Sequence, residues 1–206
     1  MEKNKNIIKI KGDAYVYVYK FDEDFVEESV APKSLREKFD GGLGAVIVAT
    51  YGEKESSSHT DVYFIPGKFD IDGESRYIIT KAYTSTEEAK AEGLFCKKEV
   101  ADLRVEETDG AKTLSFTKNN RSIFSVETED WGFDFPISSD VIHFPLMSIE
   151  GDLWNYIGKG TAKFTKMNSI EVRPSKFPDV AQYTPLASVH IRDFEMEVDL
   201  IKNNNK

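Results

Sequence analysis

The sequence predicts a mainly β domain: an antiparallel β-barrel or curved sheet, closed or half closed, with only a few short helices. Three observations predict it. Apolar and polar residues alternate with period two along most of the chain, and turn-forming dipeptides separate the alternating runs. The strand–long helix–strand rhythm of a parallel doubly wound sheet is missing. With 206 residues, including 14 Phe, 9 Tyr and 2 Trp, the chain suits a single domain over residues 1–206 with its core at about 14–200. A domain of this size buries roughly 70% of the surface its unfolded chain exposes.

The elements follow in order. Residues 14–20 are β-branched and aromatic, a strand with Tyr15, Tyr17 and Tyr19 on one face and Val16 and Val18 on the other. Asp22 supplies a cap, and Glu23 and Asp24 an acidic first turn, for a short helix through about residue 30. Pro32 stops that helix from continuing unbroken and suits the start of another turn toward Phe39. Gly41, Gly42 and Gly44 precede the apolar run 45–51, which reads as a buried central strand. These glycines are too closely spaced for a dinucleotide-binding loop and lead into a strand, so they read as a turn or bulge. Residues 52–58 form a polar loop. Residues 61–65, ended by Pro66-Gly67, and residues 76–83 are the next strands.

Ser85 with Glu88 three residues on predicts a capping box for a helix over 86–92, which Gly93 ends. Three antiparallel strands are expected at 100–107, 112–117 and 121–127, with Asp109-Gly110 and Asn119-Asn120 as their turns. Residues 148–157 read as a short helix. Strands resume at 161–168 and 187–201.

The net charge of −9, with no dense basic run, argues against nucleic acid or an anionic membrane surface as a partner. Cys96 is the only cysteine, so no internal disulfide forms, which fits a reducing compartment. Residues 1–6 are polar and lack the apolar core of a secretory signal, and no apolar stretch approaches bilayer-spanning length. A cytoplasmic protein with frayed ends at 1–6 and 202–206 is the expectation.

His59, His143 and His190 are scattered without metal-ligand spacing, and one cysteine cannot build a thiolate cluster. No metal or cofactor is therefore implied. No serine sits in Gly-x-Ser-x-Gly. Cys96 reads either as a small core filler or as a nucleophile beside Lys97. Asp22, Glu23, Asp24, Glu27 and Glu28 form a solvated helix face without calcium-loop spacing. Residues 131–136 and 142–147 concentrate Trp131, Phe133, Phe135 and Phe144 near prolines, either lining a barrel mouth or plugging the barrel end.

Lys97 and Lys98 stand side by side. An ammonium must lose its proton before attacking a carbonyl, and a free lysine holds that proton to about pH 10.4. A second cation about 6 Å away repels the first by roughly 3 kcal/mol at an effective dielectric of 20. The pair is thus either an activated amine with its perturber or two solvated charges.

Taken together, residues 15–20 running into the 24–30 helix, residues 44–51 followed by Phe64-Ile65-Pro66-Gly67-Lys68-Phe69, residues 77–83 with the helix and then residues 96–103, and residues 188–196 resemble the acetoacetate decarboxylase-like superfamily. The resemblance spans residues 14 to 200. It implies that family's β-barrel, a central cavity for a small keto acid or apolar carbonyl compound, and Schiff-base chemistry at the lysine pair, either decarboxylation or aldol and dehydration chemistry. In one register Lys97 is the nucleophile and Lys98 its perturber; in the other, Lys98 takes the nucleophile's position and Lys97 replaces the preceding proline. Lys20 stands where the family has a carboxylate-holding arginine, and Val62 where it has a catalytic glutamate. Asp61 is acidic, but strand alternation turns it to the face opposite Val62. Ala89-Lys90-Ala91 replaces the family's Gly-Arg.

The resemblance therefore gives Lys97, Lys98 and Asp61 as catalytic candidates. Lys20, Tyr19, Phe95, Trp131 and Phe135 are the candidates for holding the ligand. The alternative is a non-catalytic barrel that binds a small apolar or carbonyl ligand. Exposed strand edges make a homo-oligomer the expected assembly.

Overall fold

The structure, a computed structural model, describes residues 7–30, 33–52, 58–139 and 146–201. Fourteen strands form one mixed sheet. In chain order they are β1 (Ile7–Tyr19), β2 (Phe39–Gly41), β3 (Gly44–Tyr51), β4 (His59–Ile65), β5 (Lys68–Ile71), β6 (Glu74–Ile79) and β7 (Lys81–Thr84). They continue with β8 (Glu99–Val100), β9 (Asp102–Thr108), β10 (Ala111–Lys118), β11 (Arg121–Ser138), β12 (Leu146–Ser148), β13 (Leu153–Val172) and β14 (Ala187–Ile201). The α-helices are short: α1 (Glu23–Ser29), α2 (Lys33–Arg36) and α3 (Glu87–Glu92).

The main path runs β2-β5-β6-β12-β13-β14-β1-β3-β4-β7-β8, and β9, β10 and β11 form a further antiparallel leaf joined through β11 to β13. Its ladders are antiparallel except β6 with β12 and β7 with β8. β6 and β7 are one extended segment broken at Thr80, whose amide turns aside to the Phe64 carbonyl at 3.0 Å. The first half pairs with β12 and the second with β4, so the sheet curls back on itself without closing as a continuous cylinder.

Local chemistry fixes the corners. Asp22 accepts the Phe25 amide at 2.8 Å and starts α1. α3 is capped one residue later than expected: the Thr86 hydroxyl accepts the Ala89 amide, while the Ser85 hydroxyl accepts the Thr60 amide at 2.9 Å and ties β4 to the end of β7. Gly93 closes α3 in the left-handed region at φ 63°. Asp109-Gly110 and Asn119-Asn120 have positive φ at both positions, the geometry that matches strand twist in a two-residue hairpin. Asp72-Gly73 does the same between β5 and β6.

Residues 148–157 are not a helix. Ser148 ends β12, Gly151 turns the chain at φ 94°, and Leu153 begins a 20-residue strand. Trp154, Tyr156 and Ile157 are strand formers, and their backbone completes a ladder with Leu200, Val198 and Glu197 of β14. That long-range pairing outweighs the local capping signal around Ser148. Pro32, His143, residues 53–57 and both chain ends lie outside the described residues.

Alternation gives the central strands two buried faces. Tyr15, Tyr17, Tyr19, Val46, Val48, Val62, Phe64 and Tyr83 face one core, completed by Phe25, Val26 and Val30 of the α1 region, Phe116, Phe124 and Val126 of the outer leaf, and Phe177. Ala14, Ala49, Tyr51, Tyr63, Ile65 and Ala82 face a second core with Phe95, Cys96, Trp154, Phe194 and Val198. Among the described residues, no helix is long and apolar enough to cross a membrane.

Candidate functional site

The second core carries the polar groups. On β4, register places Asp61 between Ala49 of β3 and Thr84 of β7, on the same side as Tyr63 and opposite Val62. The small side chains of Ala14, Ala49 and Ala82 leave room around it. After α3, Phe95 takes a left-handed conformation at φ 67°, and the segment then runs into β8. The two lysines of that segment face opposite ways. Lys97 points to solvent, whereas Lys98 is buried.

Lys98 Nζ lies 2.6 Å from Asp61 Oδ2, and neither side chain exposes any surface. The Tyr63 hydroxyl donates to the same oxygen at 2.6 Å, and the Tyr51 hydroxyl donates to Tyr63 at 3.3 Å. Burial, followed by the neighbouring Tyr51 and Asp61 charges, pushes the Tyr63 phenol well up, and burial with Asp61 does the same to Tyr51. Both phenols therefore act as hydrogen-bond donors. Lys98 Nζ also sits 5.5 Å from the Tyr63 ring centroid, a cation–π contact. Asp61 Oδ1 has no hydrogen-bond partner among the described residues. A cleft of about 190 Å³, lined by residues 79–82, residues 96–99 and Ile149, opens beside the segment that carries the lysines. Burial holds the Cys96 thiol up at about 12, so it is a neutral wall of the site.

The other sequence candidates lie as follows. Phe95 packs edge-on against Tyr63, the donor to Asp61, and against Trp154, with ring centroids 6.1 and 5.7 Å away. Tyr19 is buried in the opposite core, stacked on Phe21 with its hydroxyl toward Met167. Lys20 is exposed just beyond the end of β1. Trp131 stacks on Phe164 at 5.6 Å, Phe135 meets the same ring at 5.1 Å, and Trp131 is largely exposed on the outer strands. The structure thus brings together Lys98, Asp61 and Phe95.

His59, which the sequence offers only as one of three scattered histidines, joins this site together with Tyr51 and Tyr63. His59 Nε2 is 3.8 Å from Asp61 Oδ2, and its ring lies 5.0 Å from that of Tyr51. The signal was present: His59, Asp61 and Tyr63 alternate on one face of a strand. A separate pair, His190 Nδ1 to Asp130 Oδ2 at 2.7 Å, stacks on Tyr15 in the other core. Among the described residues, no group of three or more His, Cys, Asp or Glu is placed to hold a metal ion.

The architecture is that of acetoacetate decarboxylase. An acetoacetate decarboxylase from Legionella pneumophila superposes with a TM-score of 0.63 at 9% identity, covering 99% of this chain and 91% of that one. An acetoacetate decarboxylase-like enzyme from Sphingomonas wittichii matches at 0.61 and 10% identity, over 96% and 93% of the two chains. The enduracididine biosynthesis enzyme MppR, complexed with pyruvate, matches at 0.61 and 11% identity over 97% and 90%. At these identities the likeness establishes the fold. No family model matches the sequence, and no curated protein does.

Proposed function

We propose that this chain is a Schiff-base enzyme acting on a small keto acid, with Lys98 as the amine and Asp61 as its proton acceptor. The observation that carries the reading is the 2.6 Å contact between two fully buried, oppositely charged groups beside a cleft. Asp61 takes a proton from the Lys98 ammonium, and the free amine attacks the keto carbon. The carbonyl oxygen leaves as water, and the resulting iminium withdraws electrons from the adjacent carbon. The pair supplies a nucleophile and a base held together in a dry site. Asp61 then serves as counter-ion to the iminium, and Phe95 walls the site. Lys97, exposed, remains a rim charge.

Two structures of the same fold support a 2-keto acid. MppR has been determined with pyruvate, and also with the condensation product of pyruvate and imidazole 4-carboxaldehyde. Val62 faces the opposite core, and the site's carboxylate comes instead from Asp61. We therefore favour enamine and aldol or dehydration chemistry over decarboxylation of a β-keto acid. A second reading draws on the packing: Tyr51, Tyr63, Phe95, Trp154 and Phe194 crowd the same core. In that reading the pair is a structural ion pair inside a non-catalytic barrel.

Borohydride reduction in the presence of pyruvate, followed by tandem mass spectrometry that separates the adjacent lysines, tests this. The expected product is a reduced pyruvate adduct on Lys98 that persists in Lys97→Met. Absence of an adduct on Lys98 across a panel of 2- and 3-keto acids overturns the proposal in favour of the structural pair.

A further inference from the structure

We infer that His59 is the proton-transfer partner that connects the buried Lys98–Asp61 pair to solvent, an inference that rests on the Schiff-base reading. An imine cycle moves protons in and out of the site at several steps, yet neither Lys98 nor Asp61 exposes any side-chain surface. Asp61 therefore needs a neighbour that reaches water.

Two groups touch the Asp61 oxygen that Lys98 uses, and a third stands close by. Lys98 and Tyr63 bond to it directly. The Tyr63 route is closed: Tyr51 donates to Tyr63, Tyr63 donates to Asp61, and both phenols are buried with their acidity suppressed by burial. Both protons in that chain point inward, and it ends at Tyr51 in the core.

His59 is the third group. Its Nε2 is buried, has no hydrogen-bond partner among the described residues, and lies 3.8 Å from Asp61 Oδ2. That separation is too long for a hydrogen bond and short enough for a small rotation or one bridging water to close it. The side chain keeps 14% of its surface exposed, against none for Asp61. His59 stands two residues before Asp61 on the same strand face, and its ring rests against Tyr51, the residue directly opposite across β3. An imidazole is suited to the task because it takes up and releases protons near neutral pH.

The proton balance is simple. Lys98 ammonium gives a proton to the Asp61 carboxylate, Asp61 passes it to His59 Nε2, and the amine is left free to attack. The His59 imidazolium then returns that proton, through Asp61, to the carbonyl oxygen as it departs as water. In the iminium the nitrogen is positive and Asp61 is again its carboxylate counter-ion. When the iminium yields an enamine, the carbon-bound proton leaves by the same path. Among the described residues, Asp61 of β4 and Tyr51 of β3 stand against His59, and Asp61 in turn holds Tyr63 and Lys98.

Deuterium exchange at C3 of pyruvate in D2O, read by proton NMR alongside borohydride capture, tests the inference. In His59→Gln, Lys98 still captures pyruvate and exchange slows by about 100-fold. In His59→Ala, added imidazole restores at least tenfold of the lost rate. Exchange at the wild-type rate in His59→Gln, or no imidazole rescue with capture intact, overturns the role of His59. Absence of capture by the wild-type chain instead overturns the Schiff-base reading.

Discussion

Lys98 Nζ meets Asp61 Oδ2 at 2.6 Å across 37 residues of chain, with both side chains wholly withdrawn from solvent. The pair is oppositely charged, further bonded by Tyr63, and enclosed by aromatic rings. Its energetics are asymmetric. Removing one partner leaves an uncompensated buried charge, whereas replacing both by apolar side chains removes the desolvation cost as well.

Lys98→Met or Asp61→Leu alone is expected to lower unfolding free energy by about 3–5 kcal/mol. The double variant Lys98→Met/Asp61→Leu is expected to recover most of that loss. Urea unfolding of the four chains in a double-mutant cycle measures it. Equal losses in single and double variants contradict the coupling. Lys97→Ala, at an exposed position, is expected to change stability by no more than about 0.5 kcal/mol.

Cys96 predicts an alkaline loss of stability. Burial holds its thiol at about 12 in the folded chain, against about 8.5 when unfolded. Between those values the unfolded chain has released the proton that the native state keeps, so stability falls as pH rises. Its contribution is complete below about pH 8.5. Urea midpoints for Cys96→Ala should fall less steeply than wild type between about pH 8.5 and 12. The native thiol should also resist a disulfide reagent at about pH 8.

An acid-side effect should come from Glu99. The hydrogen bond from Lys81, at 2.5 Å, holds its carboxyl below the usual range, with the Lys81 and Lys118 charges adding to it. A lowered folded value contributes stability above the unfolded value and loses it as pH falls through the folded one. Glu99 is about half exposed, so solvent screens the pair and the effect is small. Glu99→Gln should flatten the acid limb of the stability profile slightly, below about pH 4.3, as followed by thermal melts.

Gly12 should be the least replaceable glycine of the central sheet. A Cβ there would fall onto the Thr50 carbonyl of β3 and within 3.2 Å of the Phe194 ring. Gly12→Ala is expected to cost about 3 kcal/mol, because the backbone of a neighbouring strand cannot move aside. Gly110→Ala, at φ 82° with open space around it, should cost about 1–2 kcal/mol from backbone strain alone. Urea unfolding of the two variants distinguishes steric from conformational cost.

Local patterns were legible in the chain because their causes are local. The tyrosine alternation of β1, the Asp22 cap, the Gly93 stop and the Asp109-Gly110 and Asn119-Asn120 turns rest on contacts within a few residues. Residues 148–157 depart from the expected helix because their strand character depends on pairing with β14, far along the chain. The same limit applied to Thr80, where one extended run divides between two ladders.

The sequence by itself determined a mainly β domain of short helices, its turns, the existence of a lysine pair, and the fact that Asp61 and Val62 face opposite ways. Period-two alternation separates two faces without saying what covers either. Only the tertiary structure decided that Asp61, not Val62, shares a core with the lysine segment, that Lys98 lies inward and Lys97 outward, and that His59 Nε2 comes within 3.8 Å of the Asp61 oxygen that Lys98 uses. Those outcomes depend on strand register, which is set by pairings between residues far apart in the chain.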